Sequence, residues 1–368
     1  MSGPVADSRD LPEPVLVIGS GLIGTSVALA LRRAGLDVLL SDRDESCVLT
    51  AVEAGAGRAL EPSDVPEVVI VAVPPRHAGE VLAEASERWP EATISDVTSV
   101  KHGVLVEAVA RGADASRLVG GHPMAGREVS GPAAAVADLL DDRLWVVTPL
   151  PQTRVEHVRR IHRLISACGA LPVEMDPQEH DAAVALVSHA PQVLSSVLAA
   201  QLAGTDEDSV RIAGQGLRDM TRIAGSNVEM WSDILSANAG PVADVLQQVA
   251  SDIERAVDSL RSLAAGETGP PAAVTDLLRS GAVGRGRIPG KHGAAPSAYR
   301  EVLVQIADSP GELARLFGAA GKVDVNLEDV RIEHVLGRPS GLVGLSVRPD
   351  AADALIKALM EQDFDVRG

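Results

Sequence analysis

The chain has 368 residues, long enough for two or three domains, and 46% of them are apolar, enough for a sizeable core. Aromatic residues make up only 2%, so that core is built from Ala, Val, Leu and Ile. A formal net charge of −18 repels nucleic acid and anionic membrane surfaces, and an anionic small molecule would need its own local arginine pocket.

The opening "MSGPVADSRDLPEP" puts acid and proline where a secretory signal needs basic and apolar residues. Two cysteines, Cys47 and Cys168, form no CxxC pair, which fits a reducing compartment. The longest apolar run, "VVIVAV" (68–73), is too short to span a bilayer, so a cytoplasmic location with no membrane partner is expected.

"VLVIG" (15–19), a short β-branched run ending in glycine, reads as a buried parallel strand. "SVALALRRAGL" (26–36) has helical spacing, and "DVLLSD" (37–42) is a second strand, together a βαβ unit. "VVIVAVP" (68–74), "ATISDV" (92–97) and "LWVVTP" (144–149) continue the series with helices between them. This predicts an α/β fold, a doubly wound parallel-sheet Rossmann domain over residues 1–173. Over 174–265 strand signals vanish and Ala/Leu/Val-rich stretches of helical period predict an all-helical substrate and dimerisation domain. Residues 266–297, rich in Gly and Pro, read as a linker with at most one helical turn. Residues 298–368 alternate as βαββαβ, a small ferredoxin-like α+β sandwich.

"GSGLIG" (19–24) follows a strand, opens a helix and is trailed by Asp42 at the end of the next strand, the context of a dinucleotide site. Gly19 makes the tight turn and Gly21 lets backbone approach a diphosphate. Leu22 and Ile23 open the helix whose N-terminus holds the anion, and Gly24 packs helix on strand. Asp42 suits the ribose hydroxyls of NAD, while Arg43 beside it leaves NADP open.

Three polar constellations follow. "SDVTSVK" (95–101) ends a strand, so Ser99 and Lys101 are expected to face the cofactor crevice, unless Ser99 only caps a helix. "GGHPMAGREVSG" (120–131) reads as a rigid, side-chain-poor loop whose glycines leave room beside His122, with Glu128 able to line the same pocket. A neutral imidazole there is suited to accept a proton; a structural turn histidine is the bland alternative. In the helical region, Pro191 should kink "LVSHAPQVL" (186–194) beside His189. Arg218 and Arg222, four apart on one helical face, are either a solvated pair or a seat for a dicarboxylate. No metal is expected: His180 and His189, nine apart, face opposite sides of a helix, and there is no HExxH or cysteine cluster.

These segments together resemble the prephenate/arogenate dehydrogenase family. "GGHPMAGREVSG" is close to its H-P-[MI]-A-G-x-E-x-S-G signature, "GLRDMTRIAGSNVEMWSDI" to its R-D-x-T-R-I-A…M-W-x-D-I segment, and "SHAPQ" to S-H-x-P-H. Departures are Thr98 for a usual glycine, Gln192 for a usual histidine and Val228 for a usual proline. The resemblance implies NAD-dependent oxidative decarboxylation of prephenate to 4-hydroxyphenylpyruvate, with arogenate as the alternative substrate, in tyrosine biosynthesis. It assigns His122 as proton acceptor oriented by Ser99, Arg222 as partner of a substrate carboxylate, His189 near cofactor and substrate, and Trp231 as the residue that closes the pocket. Glu128 is the residue expected to weigh keto against ammonium side chains. A homodimer is implied, and "DSPGELARL" (308–316) resembles the ligand loop of an ACT domain, with tyrosine or phenylalanine as effector at Gly311. Two other readings compete. A β-hydroxyacid dehydrogenase would want a lysine in the helical region, but the four lysines (101, 291, 322, 357) all lie elsewhere. A non-catalytic amino-acid sensor would not need Ser99, His122, His189 and Arg222 together.

Overall fold

The computed structural model describes residues 11–127, 129–266, 268–269, 271–288, 299–334 and 340–367. The chain divides into two compact units, one ending at Val249 and the other beginning at Ala250.

In the first unit, strands and helices alternate as β1 (Val15–Ile18), α1 (Leu22–Arg33), β2 (Val38–Ser41), α2 (Glu45–Glu53), β3 (Arg58–Ala59), β4 (Val68–Val71) and α3 (Pro75–Arg88). They continue as β5 (Thr93–Asp96), α4 (His102–Ala110), β6 (Leu118–Pro123), β7 (Leu144–Pro149), α5 (Val155–Ala167) and β8 (Leu171–Glu174). The eight strands lie in the order β3-β2-β1-β4-β5-β6-β7-β8. Strand alternation feeds two separate cores. Val15, Val17, Val38 and Leu40 pack on one face with α1 and α5, while Leu16, Leu39, Val69 and Val71 pack on the other with α3 and α4. Helices on both faces explain why these strands read as unbroken apolar runs.

One pair departs from the expected all-parallel sheet: β7 runs antiparallel to β6, with His122 opposite Val146. A parallel return needs a long crossover, usually helical. Among the described residues, the connection from Met124 to Arg143 holds a short 3₁₀ turn, Pro132–Ala134, and no longer helix, and the chain folds back as an antiparallel pair. His122 is therefore the penultimate residue of β6 rather than part of the free loop its glycine-rich neighbourhood suggests.

The helical part of this unit begins with α6 (Pro177–Val184), a π-helical turn (Ala185–His189) and α7 (Ala190–Ala200). Pro191 falls in the first turn of α7, where its missing N–H costs least, and the strain expected beside His189 is taken up by the wide turn before it. Short helices α8 (Glu207–Arg211) and α9 (Gln215–Thr221), a 3₁₀ turn (Arg222–Gly225) and α10 (Val228–Ala237) lead into the long α11 (Ala239–Ala264). Between Pro177 and Gly204 the run of 28 residues is long and apolar enough, by composition, to cross a membrane; it also carries buried His180, Asp181, His189 and Gln192.

In the second unit the stretch read as a linker contains a four-turn helix, α12 (Ala272–Arg285), more than the single turn expected. Then come β9 (Arg300–Ala307), α13 (Glu312–Lys322), β10 (Asp329–His334), β11 (Ser340–Val347), α14 (Pro349–Met360) and β12 (Asp365–Arg367). The sheet order β10-β11-β9-β12 is antiparallel throughout, the ferredoxin-like arrangement, over a core of Val304, Leu316, Val343, Leu345 and Leu355.

Candidate active site

The turn between β1 and α1 is built by its glycines. Gly19 has φ +106°, and a Cβ there would strike the backbone of Ala72. A Cβ on Gly24 would overlap the carbonyl of Gly19, so only glycine lets α1 start this close to β1. Gly21 differs: nothing in the protein lies within 4 Å of where its Cβ would be, which leaves space over the turn. The N-terminus of α1 has no side-chain cap and no acidic residue in its first turn, so its N–H groups are available to an anion. Asp42 closes the same pocket, about 380 Å³, beside Arg43, His77 and Glu80. Its Oδ2 accepts a hydrogen bond from the Ser20 N–H at 2.6 Å, which ties this carboxylate to the glycine turn. These features fit a dinucleotide lying from Asp42 across α1.

Gly21, Ala72, Val73 and Pro74 also line an adjoining cleft of about 550 Å³. Leu22, Ile23, Ser99, His122 and Arg127 contribute to its walls, and α10 faces them with Asn227, Met230, Asp233 and Ile234. Arg76, at the start of α3, pairs with Asp233 at 2.5 Å and so ties the nucleotide-binding half to α10. The groove thus runs unbroken from the glycine turn to His122.

His122 is fixed from behind. Its Nδ1 lies 2.8 Å from Nε2 of His180, the rings meeting edge to face at 77°. His180 Nδ1 is in turn 2.8 Å from Asp181 Oδ1. That carboxylate accepts the backbone N–H of Lys101 at 2.8 Å and of His102 at 2.9 Å, at the mouth of α4. Burial lowers the His122 pKa well below 6.5, helped by His180, Lys101 and His189, so the ring is neutral near pH 7. For Asp181, burial pushes the pKa up. The hydrogen bonds from His180, Lys101 and His102 outweigh it and hold the carboxyl below its usual range.

Several expected site residues are placed differently. Ser99 shares the cleft with His122, but the partner of the imidazole is His180. Lys101 does not face the crevice. It is fully buried, paired with Asp96, and its Nζ donates to the Gly121 carbonyl at 2.6 Å. Burial lowers its pKa against the opposing pull of Asp96. The glycines before His122 serve this packing: a Cβ on Gly121 would come within 2.6 Å of the Asp96 carbonyl oxygen and 2.8 Å of Trp145 Nε1. Thr98, one of the departures, is held inside by the Asp96 carboxylate and donates to the Val100 carbonyl at 2.8 Å. Gln192, another, donates to the Ile223 carbonyl at 2.9 Å and pins α7 to the 3₁₀ turn.

His189 is buried behind the cleft. Burial lowers its pKa to about 4, and Asn238 Nδ2 donates to its Nδ1 at 3.0 Å. Trp231 stacks edge-on against it at 6.1 Å. None of His189, Trp231, Arg218 and Arg222 is among the residues lining the cleft, and the two arginines are exposed. Glu128 lies outside the described residues. The expectation that His180 and His189 face opposite sides fails because the π turn between them resets the helical phase. Both stand around Asp181, one on its carboxylate and the other through Asn238, which also donates to the Asp181 carbonyl at 2.8 Å. His180 and Arg127 were not legible as site residues. The only sequence signal for His180 is its adjacency to Asp181.

The chain is similar to known proteins along most of its length. The family model for the prephenate dehydrogenase nucleotide-binding domain matches residues 27–174, and that for the prephenate dehydrogenase dimerization domain matches 176–267. A probable prephenate dehydrogenase, NovF, of Streptomyces niveus is 35% identical over 354 residues, 95% of this chain and 98% of the relative. The prephenate dehydrogenase of Bacillus subtilis is 27% identical over 93% of this chain and 94% of its own length. Among solved structures, prephenate dehydrogenase from A. aeolicus in complex with hydroxyphenyl propionate and NAD+ is similar with a TM-score of 0.65 and 26% identity, covering 74% of this chain and 96% of that one. Synechocystis arogenate dehydrogenase matches with a TM-score of 0.63 and 25% identity, over 74% of this chain and 99% of its own. With two family models covering residues 27–174 and 176–267 in the order of the folded elements, this chain belongs to the prephenate dehydrogenase family.

Proposed function

We propose that this chain oxidises prephenate with NAD, releasing carbon dioxide and leaving 4-hydroxyphenylpyruvate. The observation that carries the reading is the continuity of the groove: Gly21 to Ile23 and His122 line one cleft, with Asp42 at its far end. When bound there, NAD supplies the hydride acceptor. His122 takes the proton of the ring hydroxyl, a task for which a neutral, buried imidazole is suited. Loss of the ring carboxylate then makes the ring aromatic. Ser99, on the same wall, is placed to hydrogen-bond the substrate hydroxyl, and His189 with Trp231 backs the pocket.

Of the described residues lining the cleft, Arg76 and Arg127 bear guanidinium groups, and Arg76 is already matched by Asp233. Arg127 is the proposed partner of a substrate carboxylate, ahead of Arg222 and Arg218. Arg127→Ala should raise KM about tenfold, about 1.4 kcal/mol, with a smaller change in kcat. If Arg222→Ala does so instead, the carboxylate is held there.

Arogenate is the second reading, favoured by the arogenate dehydrogenase among the similar structures. Glu128 is the proposed discriminator, and Glu128→Gln should lower the arogenate-to-prephenate ratio of kcat/KM. A cytoplasmic homodimer is proposed, joined through the helical domain, whose family model is named for dimerization. An amino-acid effector, tyrosine or phenylalanine, is proposed at the β9–α13 turn, where Gly311 has φ +95°. Deleting residues 297–368 should abolish inhibition by it. The reading as a whole is tested by following reduced nicotinamide with prephenate and with arogenate. Turnover of either supports it, and none with both refutes it.

A further inference from the structure

We infer that His180 and Asp181 are positioning residues that set the tautomer of His122 and share the charge it acquires. The inference deepens the proposed reaction and rests on it for its kinetic consequences, but its structural part does not. A carboxylate can only accept, so His180 Nδ1, 2.8 Å from Asp181 Oδ1, must carry its proton. The Nε2 of a neutral His180 is then a lone pair, and His122 Nδ1, 2.8 Å away, must donate to it. His122 is left with a bare Nε2 on a ring that lines the cleft. That is the tautomer a general base requires, imposed by two residues that do not line the cleft themselves.

The anchor is rigid. Asp181 Oδ1 and Oδ2 are both engaged by backbone N–H groups at the start of α4, a nine-residue helix, and its own carbonyl accepts from Asn238. When His122 gains a proton at Nε2, its Nδ1 proton can pass to His180 Nε2. One N–H bond breaks as another forms, and the cation comes to lie against the Asp181 carboxylate instead of beside the groove. The charged and titratable groups facing this pair are His180 and Asp181 on α6, His189 on the π turn, and Lys101 with its partner Asp96 on the β5–α4 loop. Lys101 is paired with Asp96, and Asp181 is the carboxylate in direct contact with the histidine pair, on His180 Nδ1.

The test has two arms on the full-length protein. In the first, ring-¹⁵N histidine NMR of wild type without substrate should show both His122 and His180 as Nδ1–H tautomers. His180→Leu should turn His122 into a tautomer mixture. An Nε2–H tautomer for His122 in wild type, or no change in the variant, overturns the inference whatever the enzyme's substrate. In the second, His180→Leu should cut kcat about 100-fold with nucleotide affinity and KM within about twofold, and shift the acid limb of kcat/KM. His180→Gln, which can still accept from His122, should recover about tenfold in kcat. A rate loss with an unmoved acid limb and no rescue by glutamine marks a merely structural role and also overturns it. Correct tautomers in an enzyme that turns over neither cyclohexadienol would sink the proposed function alone.

Discussion

His122 is an imidazole held by a second imidazole that a carboxylate anchors, and a buried lysine builds the surroundings of both. Lys101 lies at zero exposure between Asp96, Thr98 and the Gly121 carbonyl, and its backbone N–H holds Asp181. Removing one partner of a buried pair leaves the other charge uncompensated, a loss of about 3–5 kcal/mol. Lys101→Met should therefore lower the thermal midpoint steeply, whereas Lys101→Met combined with Asp96→Leu should recover much of it. Equal midpoints for the single and double variants would show that the pair does not hold this corner together. Its place at a strand end suggested that Lys101 faces the crevice; that it turns inward depends on Gly121 admitting the ammonium to a carbonyl, a contact between residues twenty apart.

At the scale of elements, the first βαβ unit was readable because its signals are local: a glycine spacing, an apolar run and an acid at the end of the next strand. The β6–β7 hairpin was not, since strand direction is set by what the 124–143 connection lacks. The π turn at Ala185–His189 was hidden for a similar reason. Pro191 announces a defect in the helix, but the choice between a kink and a wide turn is made by Asp181 and Asn238, which hold the rings on either side of it. The same helical run exposes Leu186, Val187 and Val197, each more than half accessible in one copy of the chain. An apolar face of this kind is covered when two copies meet through a shared patch. Val187→Glu with Val197→Glu should convert a dimer to monomers in light scattering coupled to gel filtration. A dimer that survives both changes would place the interface elsewhere.

For the whole molecule, buried histidines set the acid limit. His122, His157 and His189 all have folded-state pKa values lowered by burial, His189 to about 4. The unfolded chain protonates them near 6.5 while the folded chain does not, so between these values the unfolded state binds more protons. Stability is therefore full above pH 6.5 and falls as pH drops through it, by up to about 1.4 kcal/mol per pH unit for each such group. Asp181, with a lowered pKa, adds to the loss at still lower pH. Thermal midpoints measured from pH 8 to pH 4.5 should be flat at first and then decline below about 6.5. A midpoint that rises on acidification would contradict the buried, neutral state of these rings.

In the proposed reaction a neutral His122 accepts the hydroxyl proton in a groove shared with the dinucleotide. This step is tested most directly by the rate of nicotinamide reduction at saturating prephenate and NAD for His122→Asn against wild type. The variant should lose about 10²–10⁴-fold in kcat with dinucleotide affinity kept. A folded variant that still reduces the cofactor at close to the wild-type rate would contradict it.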